Sequence, residues 1–267
     1  MSFRLLALIF GCALLCAQPK GTLVIAGGGT LPASIHQAFV QAAGGAGATV
    51  AVFPLASGEP DESYHAARIR FESLGLKVLR VDVKHRSEAS LPDRIARVHQ
   101  CAGFWFTGGD QKRIHDLLVG TPLHQTLLDR FAEGAAIGGT SAGAAMMSAI
   151  MIEGTDDVSE VRAGAYKTLP GMGFLRSAIV DQHFLRRSRH NRLLSLALDH
   201  PALLMIGIDE ETALVITQDH LKVVGNRNVL VIDPRAAILQ GDRARHLLVH
   251  LLGEGDTFDL GPVPLAR

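Results

Sequence analysis

The chain has 267 residues, 48% of them hydrophobic, with 26 Lys+Arg against 26 Asp+Glu, so its formal net charge is zero. That balance, with no long run of one sign, gives no electrostatic support to a nucleic-acid or anionic-membrane partner. Three cysteines in such a length also exclude a disulfide-dense scaffold.

Met1–Ala17 carries a single cation, Arg4, and then an apolar run from Leu5 to Leu15. This reads as a secretory signal peptide over 1–17, too short to span a membrane comfortably and cleavable after the small Ala17. The mature chain, 18–267, is expected to be one domain, secreted or periplasmic, with no stable membrane span. Cys12 and Cys16 would leave with the leader. Only Cys101 would remain, so no intrachain disulfide can form.

Beyond the leader, short apolar and β-branched runs alternate with segments of helical period. Strands are predicted over 22–29, 49–57, 77–83, 102–109, 135–141 and 178–183, and helices over 61–76, 91–100 and 122–133. This alternation predicts an α/β fold, a mostly parallel sheet with helices on both faces. The runs 203–216, 221–225 and 229–233 read instead as consecutive strands, an antiparallel extension of the same sheet.

Open α/β sheets collect ligands at the carboxyl ends of their strands. Those ends hold Gly27-Gly28-Gly29, Thr107-Gly108-Gly109-Asp110-Gln111, Ser141 and Asp181-Gln182-His183. Gly139-Thr140-Ser141-Ala142-Gly143 fits G-x-S-x-G, the strand-to-helix turn that exposes a nucleophilic serine. The N–H of Ala142, with a second donor from the Gly108-Gly109 loop, could stabilise an oxyanion. Serine needs a base, and His183 follows an apolar run at the point where a strand leaves the core. An imidazole base in turn works best beside a carboxylate, and Asp209, Glu210 and Glu211 all lie within an apolar strand pair.

Rival readings are weaker. The glycine run at 27–29 suggests nucleotide binding, but Pro32 falls where the dinucleotide fingerprint needs its last glycine, and no P-loop lysine follows. A non-catalytic binding protein would not need competent residues at all three triad positions. No HExxH or paired-cysteine pattern is present, so neither a metal nor a cofactor is expected.

Taken together, the stretches "VIAGGGTLP", "ASGEPDESY", "FWFTGGDQKRI", "GGTSAGAAMMS", "DQHFLRRSRHNRL" and "GIDEETAL" resemble the cyanophycinases, serine peptidases of the S51 group on a class I glutamine amidotransferase-like fold. The resemblance runs from about Lys20 to Asp233. It implies Ser141 as nucleophile, His183 as base and Glu210 as the orienting acid. It also suggests substrate contacts from Gln111, Asp181, Gln182, Arg187, Arg189 and Arg192, beside the oxyanion donors Gly109 and Ala142 expected from the turn itself. The implied substrate is cyanophycin, a polyaspartate with arginine on each β-carboxyl, cleaved from a chain end to β-aspartyl-arginine. A homodimer is also implied.

The alternative within the same fold is an aspartyl or isoaspartyl dipeptidase, which needs fewer cationic contacts. Arg187 can reach the site together with Arg189 and Arg192 only if the helix after His183 begins near Ser188. Ser188 and Asn191 depart from the family pattern, which favours glycine there.

Overall fold

The computed structural model describes residues 19–154 and 159–261, and the expected leader over 1–17 lies outside the described residues. The first half alternates strand and helix. In order come β1 (Thr22–Ala26), α1 (Ala33–Ala42), β2 (Thr49–Phe53), α2 (Pro60–Ser73), β3 (Lys77–Arg80), α3 (Pro92–His99), β4 (Gly103–Phe106), α4 (Gln111–Leu118), α5 (Pro122–Glu133), β5 (Ala136–Thr140) and the one-turn α6 (Ala142–Ala145). The second half is richer in strand. It runs β6 (Ile150–Ile152), β7 (Thr168–Pro170), β8 (Ala178–Gln182), α7 (His190–Asp199), β9 (Leu204–Ile208), β10 (Thr212–Thr217), β11 (His220–Gly225), β12 (Val229–Asp233), β13 (Ile238–Gln240), β14 (Arg243–Arg245), β15 (Leu248–Leu252) and β16 (Thr257–Asp259).

Local chemistry sets several helix starts. Proline opens α2, α3 and α5, where its missing N–H costs nothing. The Thr121 hydroxyl caps α5 by accepting from the His124 N–H at 3.2 Å, and the Asp110 carboxylate caps α4 by accepting from the Lys112 N–H at 2.8 Å.

The main sheet has the order β16-β11-β10-β1-β5-β4-β2-β3. β1, β5, β4, β2 and β3 run parallel, and β10, β11 and β16 extend the sheet antiparallel beyond β1. Alternation along the strands divides the core. Leu23, Ile25, Ala51, Phe53, Phe104 and Phe106 join one cluster, while Val24, Ala26, Val50, Val52 and Trp105 join another with Phe39 of α1 and Phe71 of α2. Helices therefore cover both faces, as the strand-helix alternation requires. His36 packs in the second cluster, 5.8 Å from the Phe71 ring and 6.2 Å from Trp105.

The strands predicted over 203–216 and 229–233 do not all extend the main sheet, because β8, β9 and β12 belong to a separate four-stranded sheet ordered β15-β12-β9-β8. β8 and β9 are parallel, with Gln182 beside Ile208. Leu204, Ile206 and Ile208 face the main core, whereas Met205 faces Leu193 and Leu196 of α7. With both faces covered, β9 needs no polar residue, so nothing in its sequence marks which sheet it joins. The acids at 209–211 are the corner where the chain passes from β9 to β10, and Glu211 takes φ 58° there.

Candidate active site

The serine comes from the β5–α6 turn. Ser141 has φ 55° and ψ −112°, a left-handed backbone that L side chains rarely adopt, and its N–H is held by the Ala26 carbonyl at 3.0 Å. The flanking glycines follow from the sharpness of the turn. A Cβ on Gly139 would lie 2.6 Å from the Gly143 carbonyl oxygen, and one on Gly143 would lie 2.2 Å from that of Phe106. Strand and helix thus approach too closely for any side chain at either position.

His183 leaves β8 with φ 50°, its N–H donating to the Gly27 carbonyl at 2.8 Å. Its Nε2 lies 2.8 Å from Ser141 Oγ and its Nδ1 lies 2.7 Å from Glu210 Oε1. The carboxyl of Glu210 is held below its ordinary range, chiefly by its hydrogen bond to His183. As a carboxylate it can only accept, so Nδ1 carries the ring proton and Nε2 is the acceptor for the serine hydroxyl. Burial lowers the His183 pKa from its ordinary 6.5. Glu210 works against that shift, and Arg187 and Arg189 reinforce it.

The three acids have separate partners. Glu210 meets His183, while the buried Asp209 accepts the Arg186 backbone N–H at 3.0 Å. Glu211 turns to Asn226 at 3.2 Å and Arg227 at 3.4 Å.

The end of β1 organises these segments. Consecutive carbonyls of Ala26, Gly27 and Gly28 accept the N–H groups of Ser141, His183 and Glu211 at 3.0, 2.8 and 2.9 Å. The glycine run also supplies space. A Cβ on Gly28, whose φ is 116°, would lie 2.3 Å from His183 Cε1, and one on Gly29 would lie 2.9 Å from Glu210 Cβ. A glycine run in the sequence does not by itself mark a role in the triad. Three adjacent glycines after the first strand were the available signal, and they form the seat for the imidazole.

Among the described residues, the N–H groups of Ala142 and Gly109 have no hydrogen-bond acceptor. Gly108 lies beside the serine, since a Cβ there would be 3.4 Å from Ser141 Cβ, while Gly109 packs its α-carbon against the Ala56 carbonyl. Gln111 is buried and donates from Nε2 to the Ile152 carbonyl at 3.1 Å.

The cationic segment after His183 divides. α7 begins at His190, which leaves Arg187 exposed in the preceding turn, and Ser188 takes φ 51° there. Left-handed backbone explains why glycine would suit position 188. Arg189 folds back to Gln182, donating to its carbonyl at 2.7 Å and its Oε1 at 2.5 Å, and lies 3.4 Å from Asp181. Arg192 and Asp181 are each 1% exposed and form a two-pronged pair, Nε to Oδ2 at 2.7 Å and Nη2 to Oδ1. Asp181 and Arg192 therefore hold each other as a buried pair two and nine residues from His183. Among the described residues, no three His, Cys, Asp or Glu side chains cluster as metal ligands, and no helix is long and apolar enough to cross a membrane.

The comparisons with known proteins agree with this fold. Residues 23–224, which include Ser141, His183 and Glu210, match the family described as Peptidase family S51. A cyanophycinase from Geminocystis herdmanii is 37% identical over 237 residues, covering 84% of this chain and 87% of that protein. A cyanophycinase from Trichormus variabilis is 34% identical over 239 residues, covering 85% and 80%. A solved peptidase from an acI-B1 Actinobacterium shares the fold, with TM-score 0.72 and 24% identity over 91% of this chain and 98% of that one. The chain belongs to peptidase family S51 and is a hydrolytic peptidase.

Proposed function

We propose that the protein is a secreted or periplasmic serine exopeptidase that hydrolyses cyanophycin to β-aspartyl-arginine. The observation that carries the proposal is the continuous chain Ser141–His183–Glu210, with heavy-atom distances of 2.8 and 2.7 Å. The substrate is supported by the similarity to proteins named cyanophycinase.

In this mechanism Ser141 Oγ attacks the scissile carbonyl carbon while His183 Nε2 takes the hydroxyl proton. The carbonyl oxygen becomes an oxyanion facing the N–H groups of Ala142 and Gly109. Collapse breaks the C–N bond, and His183 returns its proton to the leaving amine, leaving an ester on Ser141. Water, deprotonated by His183, then attacks that ester, and the serine leaves with the proton. Glu210 holds the imidazole in the tautomer that each step needs. Arg187, exposed beside the triad, is the cation best placed for a substrate carboxylate.

The test is release of β-aspartyl-arginine from purified cyanophycin by residues 18–267, beside the Ser141→Ala variant. Release is expected from the wild type, with kcat lowered on the order of 10⁶-fold in the variant. Equal release from both would remove Ser141 from the mechanism. A second reading, an aspartyl or isoaspartyl dipeptidase, is favoured by one observation: burial of Arg192 leaves fewer cations for a polyanionic backbone. Hydrolysis of such dipeptides, with cyanophycin untouched, would establish that reading instead.

A further inference from the structure

Sheet order places a second polar feature beside the candidate site. β2 and β3 lie two and three strands from β5, which at about 4.8 Å per strand puts them about 10 and 14 Å from the strand that carries Ser141. Beyond their carboxyl ends lies a groove of about 440 Å³ with Leu55 and Val83 among its apolar walls. Its charged walls carry both signs. Arg80 is held between Asp61 and Asp82 at 2.7 Å each, and the Asp61 side chain remains 87% exposed. Opposite charges come from Lys84, which has no ion-pair partner among the described residues, and from Arg113, which donates from Nη1 to the Ser57 carbonyl at 2.6 Å.

α4 links the groove to the nucleophile. Gln111 at its first turn reaches Ile152, whereas Arg113, two residues on, holds Ser57. The neighbouring Ala56 carbonyl is the atom against which Gly109 packs, and Gly108 adjoins Ser141. The groove and the triad are thus joined by one short loop and one helical turn.

We propose that this groove is an exosite that holds a β-aspartyl-arginine unit of the polymer three or four backbone residues away from the bond being cut. The inference rests on the reading of cyanophycin as substrate. An arginine attached through its α-amine keeps a free carboxylate and a free guanidinium, so each unit is a zwitterion. Lys84 and Arg113 complement the carboxylate, while Asp61, whose side chain stays 87% exposed beside its pair with Arg80, complements the guanidinium. An extended chain covers about 3.3–3.6 Å per residue, so three or four residues span the 10–14 Å that separates β5 from these strands. Binding at both points then raises the affinity for long chains over short ones with no change at the triad.

The experiment compares β-aspartyl-arginine oligomers of two and six units, in the Ser141→Ala protein by calorimetry and in the active protein by KM. The quantity read is the ratio of the two affinities within each protein, which cancels a general folding fault. The six-unit oligomer is expected to bind at least about tenfold more tightly than the two-unit one. Lys84→Glu, and separately Arg113→Ala, are expected to reduce that ratio toward one. An affinity independent of length, or a ratio unchanged by both substitutions, would overturn the exosite. If neither oligomer is hydrolysed while length-dependent binding survives and is lost in Lys84→Glu, the exosite stands and the catalytic reading falls.

Discussion

At His183, burial and two arginines oppose a carboxylate over one proton, and burial dominates. Only the neutral imidazole can accept the Ser141 proton, so kcat/KM should rise with pH through the His183 pKa. Because that pKa lies below the ordinary 6.5, the acid limb is expected to have its midpoint below pH 6.5. Arg187→Ala removes one cation that lowers it and should move the limb to higher pH, whatever it does to the amplitude. A wild-type midpoint above 6.5, or a limb that moves downward in the variant, would refute this account of the base. At this scale the sequence was informative about kinds of residue and less so about neighbours. Ser141 and His183 were legible from the glycine-flanked turn and the apolar lead-in. Strand alternation could not choose among three adjacent acids, because Asp209–Glu211 form a corner whose backbone at Glu211 is left-handed.

Between elements, the buried Asp181–Arg192 pair ties the end of β8 to the first turn of α7, one residue from Gln182 and two from His183. Removing one partner leaves a charge in the core without its counterion. Asp181→Ala is therefore expected to lower unfolding free energy by about 3–5 kcal/mol, while Asp181→Leu with Arg192→Met should recover most of the loss. Urea denaturation of the single and double variants measures both. A single variant with wild-type stability and only a raised KM would place Asp181 in the substrate pocket instead. The pair also shows what periodicity leaves hidden. A basic residue near a catalytic histidine reads equally as a ligand for substrate or as a partner for a buried acid, and only burial separates them. Element boundaries were more accessible where chemistry punctuates the chain, as with Pro122 and Gly134 around α5. Assignment of β9 and β12 to a second sheet was not accessible, because an apolar strand covered on both faces has the same composition in either sheet.

For the molecule as a whole, the proposed export and the cysteine chemistry are linked. Cleavage after Ala17 would remove Cys12 and Cys16, so the exported protein would meet an oxidising compartment with Cys101 as its sole thiol. Cys101 is 0% exposed in the main core, beneath α3, and burial pushes its pKa up to about 11. At pH 7 roughly one thiol in ten thousand would then be the reactive thiolate, and that fraction has no path to solvent without local opening. The full chain expressed in a bacterial host with a periplasm is therefore expected in the periplasmic fraction, with an intact mass matching 18–267. That material should stay unmodified by iodoacetamide while folded and take up one equivalent in urea. Retention of the leader in a cytoplasmic product would refute the export reading. Fast labelling of the folded protein would instead show that the core around Cys101 opens readily, and the two results are separable because the mass reports cleavage independently of alkylation.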